Sequence, residues 1–169
     1  SSRGFYAVPP EVPQTLFDNM QDINRYTGGV TFSHHPTDWF RQRLVVGLDY
    51  TAEDSRALER FATPELAPFM AAIGGPTAAA GRIGQVLRNS TFFTGDYAGT
   101  FSFALSQAIS SETSFGGQFV RKDLRSSTLG GTMFPAPGVE TVSATARKTD
   151  PTQTVLVNTT LGVYAQQQL

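Results

Sequence analysis

Apolar and polar positions alternate with a period of two in several long blocks rich in Thr, Val, Phe and Tyr, and apolar residues rarely recur at helical spacing. The chain therefore reads as all-β. From Phe40 to Tyr50 the even positions are Phe40, Gln42, Leu44, Val46, Leu48 and Tyr50, and the odd ones are Arg41, Arg43, Val45, Gly47 and Asp49. One face is greasy and the other is charged. Upstream, Tyr26, Val30 and Phe32 share a face opposite Arg25, Thr27, Thr31 and Ser33, and His34-His35-Pro36-Thr37-Asp38 has the composition of a tight turn between the two blocks. Leu87, Phe93, Tyr97, Phe101, Phe103, Leu105 and Ile109 occupy odd positions of a third block, and Val155, Val157, Leu161, Val163 and Ala165 form the apolar side of the last. The fourth block alternates less well, with Phe115 and Phe119 opposing Val120 and Leu124, as a bulge or partial burial would produce.

The pattern predicts an antiparallel up-and-down meander of about five long strands, at about 24–34, 39–52, 85–109, 113–125 and 152–169. Short turns near Pro36–Asp38 and Ser110–Glu112 alternate with long loops at about 53–84 and 126–151. In the first long loop Thr63 and Pro64 are placed to start a short helix that glycines would end, with Pro68 counting against it. A soluble sandwich also hides one face of each sheet and wets the other. Three features favour a segment of a large transmembrane β-barrel: the strand lengths, the alternation of short and long connections, and aromatic residues (Trp39, Phe40, Tyr50) at both ends of one strand. Five strands leave two unpaired edges, so the segment requires the rest of a barrel to span a membrane.

Composition narrows the partners. Of 169 residues, 13 are Lys or Arg and 14 are Asp or Glu, for a net charge of −1 without a basic stripe, which argues against nucleic acid. No cysteine is present, so thiolate catalysis and Cys-based metal sites are excluded. No apolar run is long enough for a spanning helix, a test that barrels evade. The start, Ser1-Ser2-Arg3-Gly4, reads as internal.

Chemistry is sparse. Neither a Gly-x-Ser-x-Gly elbow, a His-Glu-x-x-His pair nor a phosphate loop occurs, so the expectation is a non-enzyme without cofactor. His34 and His35, adjacent on a strand, point to opposite faces and suit a shared metal poorly. Glu53, Asp54 and Arg56 read as solvated residues at a strand's outer end. Under the barrel reading Arg41, Arg43 and Asp49 face the lumen, wetted or bonded to a plug, and Phe40, Leu44, Val46, Leu48, Phe101, Phe103 and Leu105 face lipid. Ligand contacts are expected from aromatic loop residues, Phe61, Phe69 and Phe134.

Four stretches carry a family resemblance. Tyr26-Thr27-Gly28-Gly29-Val30, then His35-Pro36-Thr37-Asp38-Trp39-Phe40 and Val46-Gly47-Leu48-Asp49-Tyr50, resemble a strand, periplasmic turn and strand of TonB-linked outer-membrane receptors of the SusC/RagA type. Thr160-Leu161-Gly162-Val163-Tyr164-Ala165-Gln166-Gln167-Gln168 is similar to another strand of that family, with Gln167 where Glu is common. The resemblance implies part of a barrel of about 22 strands in the bacterial outer membrane, importing glycan or peptide oligomers. It also implies partners: the lipid bilayer, the rest of the barrel and its plug domain, and, through the parent chain, TonB and a surface lipoprotein. The alternatives are a soluble or cell-surface β-sandwich binding module and a passive porin.

Overall fold

A computed structural model describes residues 9–104, 106 and 109–169. Five strands, β1 (Phe17–Thr37), β2 (Phe40–Glu59), β3 (Arg82–Ala104), β4 (Ser110–Thr132) and β5 (Arg147–Gln168), form one antiparallel sheet in sequence order. Each runs 20 to 23 residues, where a globular strand averages about five or six. Among the described residues two α-helices, α1 (Glu11–Leu16) and α2 (Ala67–Gly74), and two short 3-10 turns, Ala78–Ala80 and Val142–Ala144, accompany the sheet.

The strands reach further than the alternation suggested. Strand β2 continues to Glu59, β3 begins at Arg82 and β4 ends at Thr132, so the long loops shrink to residues 60–81 and 133–146. The added stretches, such as Ser126-Ser127-Thr128-Leu129-Gly130-Gly131-Thr132, lack a greasy face, and backbone pairing does not require one. The first turn is only Asp38-Trp39; His34, His35 and Pro36 belong to β1, an edge strand where proline's missing N–H is tolerated. Pro68 falls in the first turn of α2, where no backbone donor is needed. The helix begins three residues beyond Pro64, and the Thr63 carbonyl, rather than its side chain, receives the Leu66 and Ala67 amides at 3.0 and 2.8 Å.

The chain divides into two compact units. The loop unit comprises the stretch ending at Ile23, Glu53–Arg88 and Ser126–Thr154. It has a core built by water: Val12 and Leu16, one helical turn apart on α1, are buried with Ala62 and Met70. A second cluster joins Leu58, Ile83 and Phe134, with Phe61 and Val142 packed around it. Gly81 makes that cluster possible: at φ +74° it sits where a Cβ would lie 2.5 Å from the Glu59 carbonyl and 2.8 Å from the Phe134 ring.

The turn unit comprises Asn24–Ala52, Asn89–Arg125 and Val155–Leu169. Among its described residues no apolar side chain is buried. Val30 is 71% exposed, Leu161 75% and Val163 83%. Cross-strand contacts give the face of each residue. Arg25 meets Asp49, and Thr100 meets Ser114, on the polar face, whereas Phe40 stacks on Phe101, and Phe101 on Phe115, on the apolar one. The greasy side thus carries even positions of β1 and β2 and odd positions of β3 and β4. On the polar side a Cβ at Gly116 would collide with the Tyr97 carbonyl and the Tyr164 ring, so a close cross-strand ring contact occupies the place of a side chain.

Candidate functional site

Chemistry-bearing residues of the turn unit gather on its polar face, because β2 alternation delivers Arg41, Arg43 and Asp49 to one side. Asp49 accepts from Arg25 of β1 through two nitrogens, Nε at 3.0 Å and Nη2, a bidentate geometry that holds both side chains. Arg41 pairs with Glu112 of β4. Among the described residues Arg43 has no carboxylate partner. It lines a shallow crevice of about 240 Å³ with Ser33, His35, Arg41, Ala98 and Thr100. The face therefore holds fixed ion pairs beside one open guanidinium and an imidazole.

The loop unit has a larger crevice, about 590 Å³. Its lining combines small residues, Ala57, Gly84 and Gly130, with Phe17, Asn19, Thr128, Thr132, Asp150 and the paired Glu59 and Arg82. Nearby, Glu53 accepts from Gln21 at 2.8 Å and Ser55 at 2.9 Å and stands 3.6 Å from Arg88. The crevice thus sets the Glu59–Arg82 ion pair and the further carboxylate of Asp150 beside its small residues.

The loop aromatics part company. Phe134 is 4% exposed, packed on Leu58 and Ile83, so it serves the core and is not available as a ligand contact; a lone Phe beside prolines gave no sign of this. Phe61 is half-buried against the same cluster, and Phe69 alone is substantially exposed, at 38%. Glu140 supplies the feature that pattern reading missed. It receives Arg60 Nε at 3.0 Å and stands 3.6 Å from Arg56, while Arg60 reaches Asp18 at 2.7 Å, an ion chain tying residues 133–146 to β1 and β2. Asp54 bonds to Gln85 at 2.9 Å.

On the apolar face Phe40, Phe101 and Phe103 join Trp39 and Phe115 in a five-ring array with centroid separations of 4.8 to 6.4 Å. Leu44 and Leu48 are 41% and 48% exposed, and Val46 is intermediate. Leu105 lies outside the described residues. His34 and His35 take opposite faces, His34 meeting Gln42 and Phe32 and His35 lining the crevice.

No protein-family model matches the chain, and no curated protein does. Solved structures do match. A structure of the RagAB peptide transporter superposes with a TM-score of 0.79 at 9% identity, covering 94% of this chain and 17% of that one. Structures of the RagAB peptide importer in its open-open and closed-closed states give 0.78 and 0.77, at 9% and 10% identity, covering 94% and 90% of this chain. The chain spans 16% of the length of each of these two. At such identities the likeness establishes the fold, a five-stranded meander found within transporter structures.

Proposed function

We propose that the chain is a segment of an outer-membrane TonB-dependent transporter that imports oligomeric nutrients such as glycans or peptides. One observation carries this reading: among the described residues the turn unit buries none of the large apolar side chains of its alternating strands, and each stays exposed or partly exposed. In water such a stripe would need covering by a second sheet; in hydrocarbon it is already solvated. Its length fits. Ten steps from Phe40 to Tyr50 at ~3.4 Å, tilted by about 40°, rise about 26 Å, and the apolar band of an outer-membrane barrel is about 25 Å tall. The polar face then lines the lumen, with Arg41, Arg43 and Asp49 on it, and Phe40, Leu44, Val46, Leu48, Phe101 and Phe103 meet lipid. The motif resemblance and the fold shared with RagAB structures support the transporter class, with the plug, TonB and a surface lipoprotein as partners of the whole receptor.

Single cysteines introduced along β2 of the full-length receptor test it, since this segment has none of its own. In lipid vesicles, an attached fluorophore at positions 42, 44, 46 and 48 is quenched by nitroxide-labelled lipid, and at 41, 43, 45 and 47 by aqueous iodide. Protection of the even positions from both quenchers identifies a sandwich and overturns the proposal.

A further inference from the structure

The apolar face of the turn unit is interrupted in two places by glutamine-centred hydrogen bonding. Tyr97 Oη donates to Gln42 Oε1 at 3.0 Å, and Gln42 Nε2 lies 3.1 Å from His34 Nδ1, linking three strands. With the amide so placed, a hydrogen bond from Gln42 Nε2 to Nδ1 leaves Nε2 as the donor of an exposed ring. On the other flank, Gln167 Nε2 donates to Ser111 Oγ at 2.7 Å and its Oε1 accepts from Thr113. Both glutamines stand close to strand ends, Gln42 two residues into β2 and Gln167 one residue from the end of β5. Between them lies the five-ring array, in which Trp39, 46% exposed, adds an indole N–H.

Neither bulk solvent suits this surface. Hydrocarbon offers no acceptor for the imidazole and indole donors, and water gains nothing from five exposed rings. The medium that supplies both is the glycerol-ester zone of a phospholipid, where phosphodiester and ester oxygens accept hydrogen bonds and acyl chains begin. We propose that His34, Gln42, Tyr97, Gln167 and the Trp39 aromatic array form a seat for a glycerophospholipid of the leaflet nearest the short turns. The headgroup oxygens receive His34 Nε2–H and Trp39 Nε1–H, and the first methylenes lie on Phe101 and Phe103. The seat rests on the membrane-barrel reading above.

The test titrates the full-length receptor, in maltoside detergent, with palmitoyl-oleoyl phosphatidylethanolamine and counts bound lipid by native mass spectrometry. Saturable binding is expected. It weakens about tenfold in Gln42→Leu with Gln167→Leu, the worth of about one ordinary hydrogen bond. Tyr97→Phe, which keeps the ring against Phe115, gives a smaller loss in the same direction and guards against misfolding of the double variant. Lipid binding unchanged in both variants overturns the seat. If β2 labelling still alternates between lipid and water, only the seat falls; if the even positions are shielded by protein, the barrel reading falls with it.

Discussion

The two units of this chain are made from the same five strands and solve opposite solvation problems. In the loop unit, Val12, Leu16, Leu58, Met70, Ile83 and Phe134 are withdrawn from solvent by helices and loops folded onto the sheet. In the turn unit, Tyr26, Val30, Leu44, Leu48, Phe103, Leu161 and Val163 remain open, and nothing among the described residues is folded over them. Where water is the solvent, apolar area must be buried to offset the entropy of ordering. A compact core in one unit and a longer apolar stripe left uncovered in the other is the contrast that the proposed membrane setting, with its two solvents, requires.

The largest expected effect tests the water-built half. Phe134→Ala removes the ring that closes the Leu58 and Ile83 cluster, and a buried Phe-to-Ala change costs about 3–5 kcal/mol. Hydrogen exchange of the full receptor should report a loss of that order confined to the amides of residues 133–146 and their neighbours on β2 and β3. Unchanged exchange would mean that Phe134 is an optional surface ring, and the contrast between the units would weaken.

The next effect tests the other half. Val46→Arg places a charge near the middle of the apolar stripe, where the cost to a barrel in lipid is about 2–4 kcal/mol. Val45→Arg, one residue away on the polar face, should cost much less because its charge reaches water. Urea unfolding of the receptor in vesicles measures both. Equal penalties would mean that the two faces share a solvent.

How much of this was legible depended on which solvent wrote the pattern. Along β2 from Phe40 to Tyr50 the alternation is strict enough to separate two faces, and Arg25 stood on the polar side of its own block, though its pairing with Asp49 needed the register between strands. The upper parts of the strands were not readable, because Thr128, Gly130 and Gly131 differ little from loop residues and pairing there is held by backbone. Helix α1, six residues long, is too short for its periodicity to register. Gln42 stood out only as an exception in a greasy stripe. Its partners lie 8 and 55 residues away, so only the register between strands could assign them. The Arg60, Glu140 and Asp18 chain was hidden for the same reason.

The smallest effect concerns the approach to α2 and separates the units by their response to acid. The Thr63 hydroxyl, followed by the backbone amide of its own residue, holds the Glu65 carboxyl below its ordinary pKa. A depressed carboxylate stabilises the folded state fully above the unfolded-state pKa, and that contribution is lost as pH falls through the lower folded value. Acidification below the usual carboxylate range should therefore loosen residues 63–66 and the start of α2, with faster hydrogen exchange at Leu66 and Ala67, whose amides meet the Thr63 carbonyl. Thr63→Val removes the main cause, so its Glu65 titrates nearer the ordinary value: the variant lacks the contribution already at neutral pH, and the acid-dependent part of the loosening shrinks. A variant whose exchange follows the same pH curve as the parent would show that the hydroxyl does not govern the carboxylate. Throughout this acid range the five rings of the turn unit, which carry no titrating group and stack directly on one another, should keep their aromatic circular dichroism.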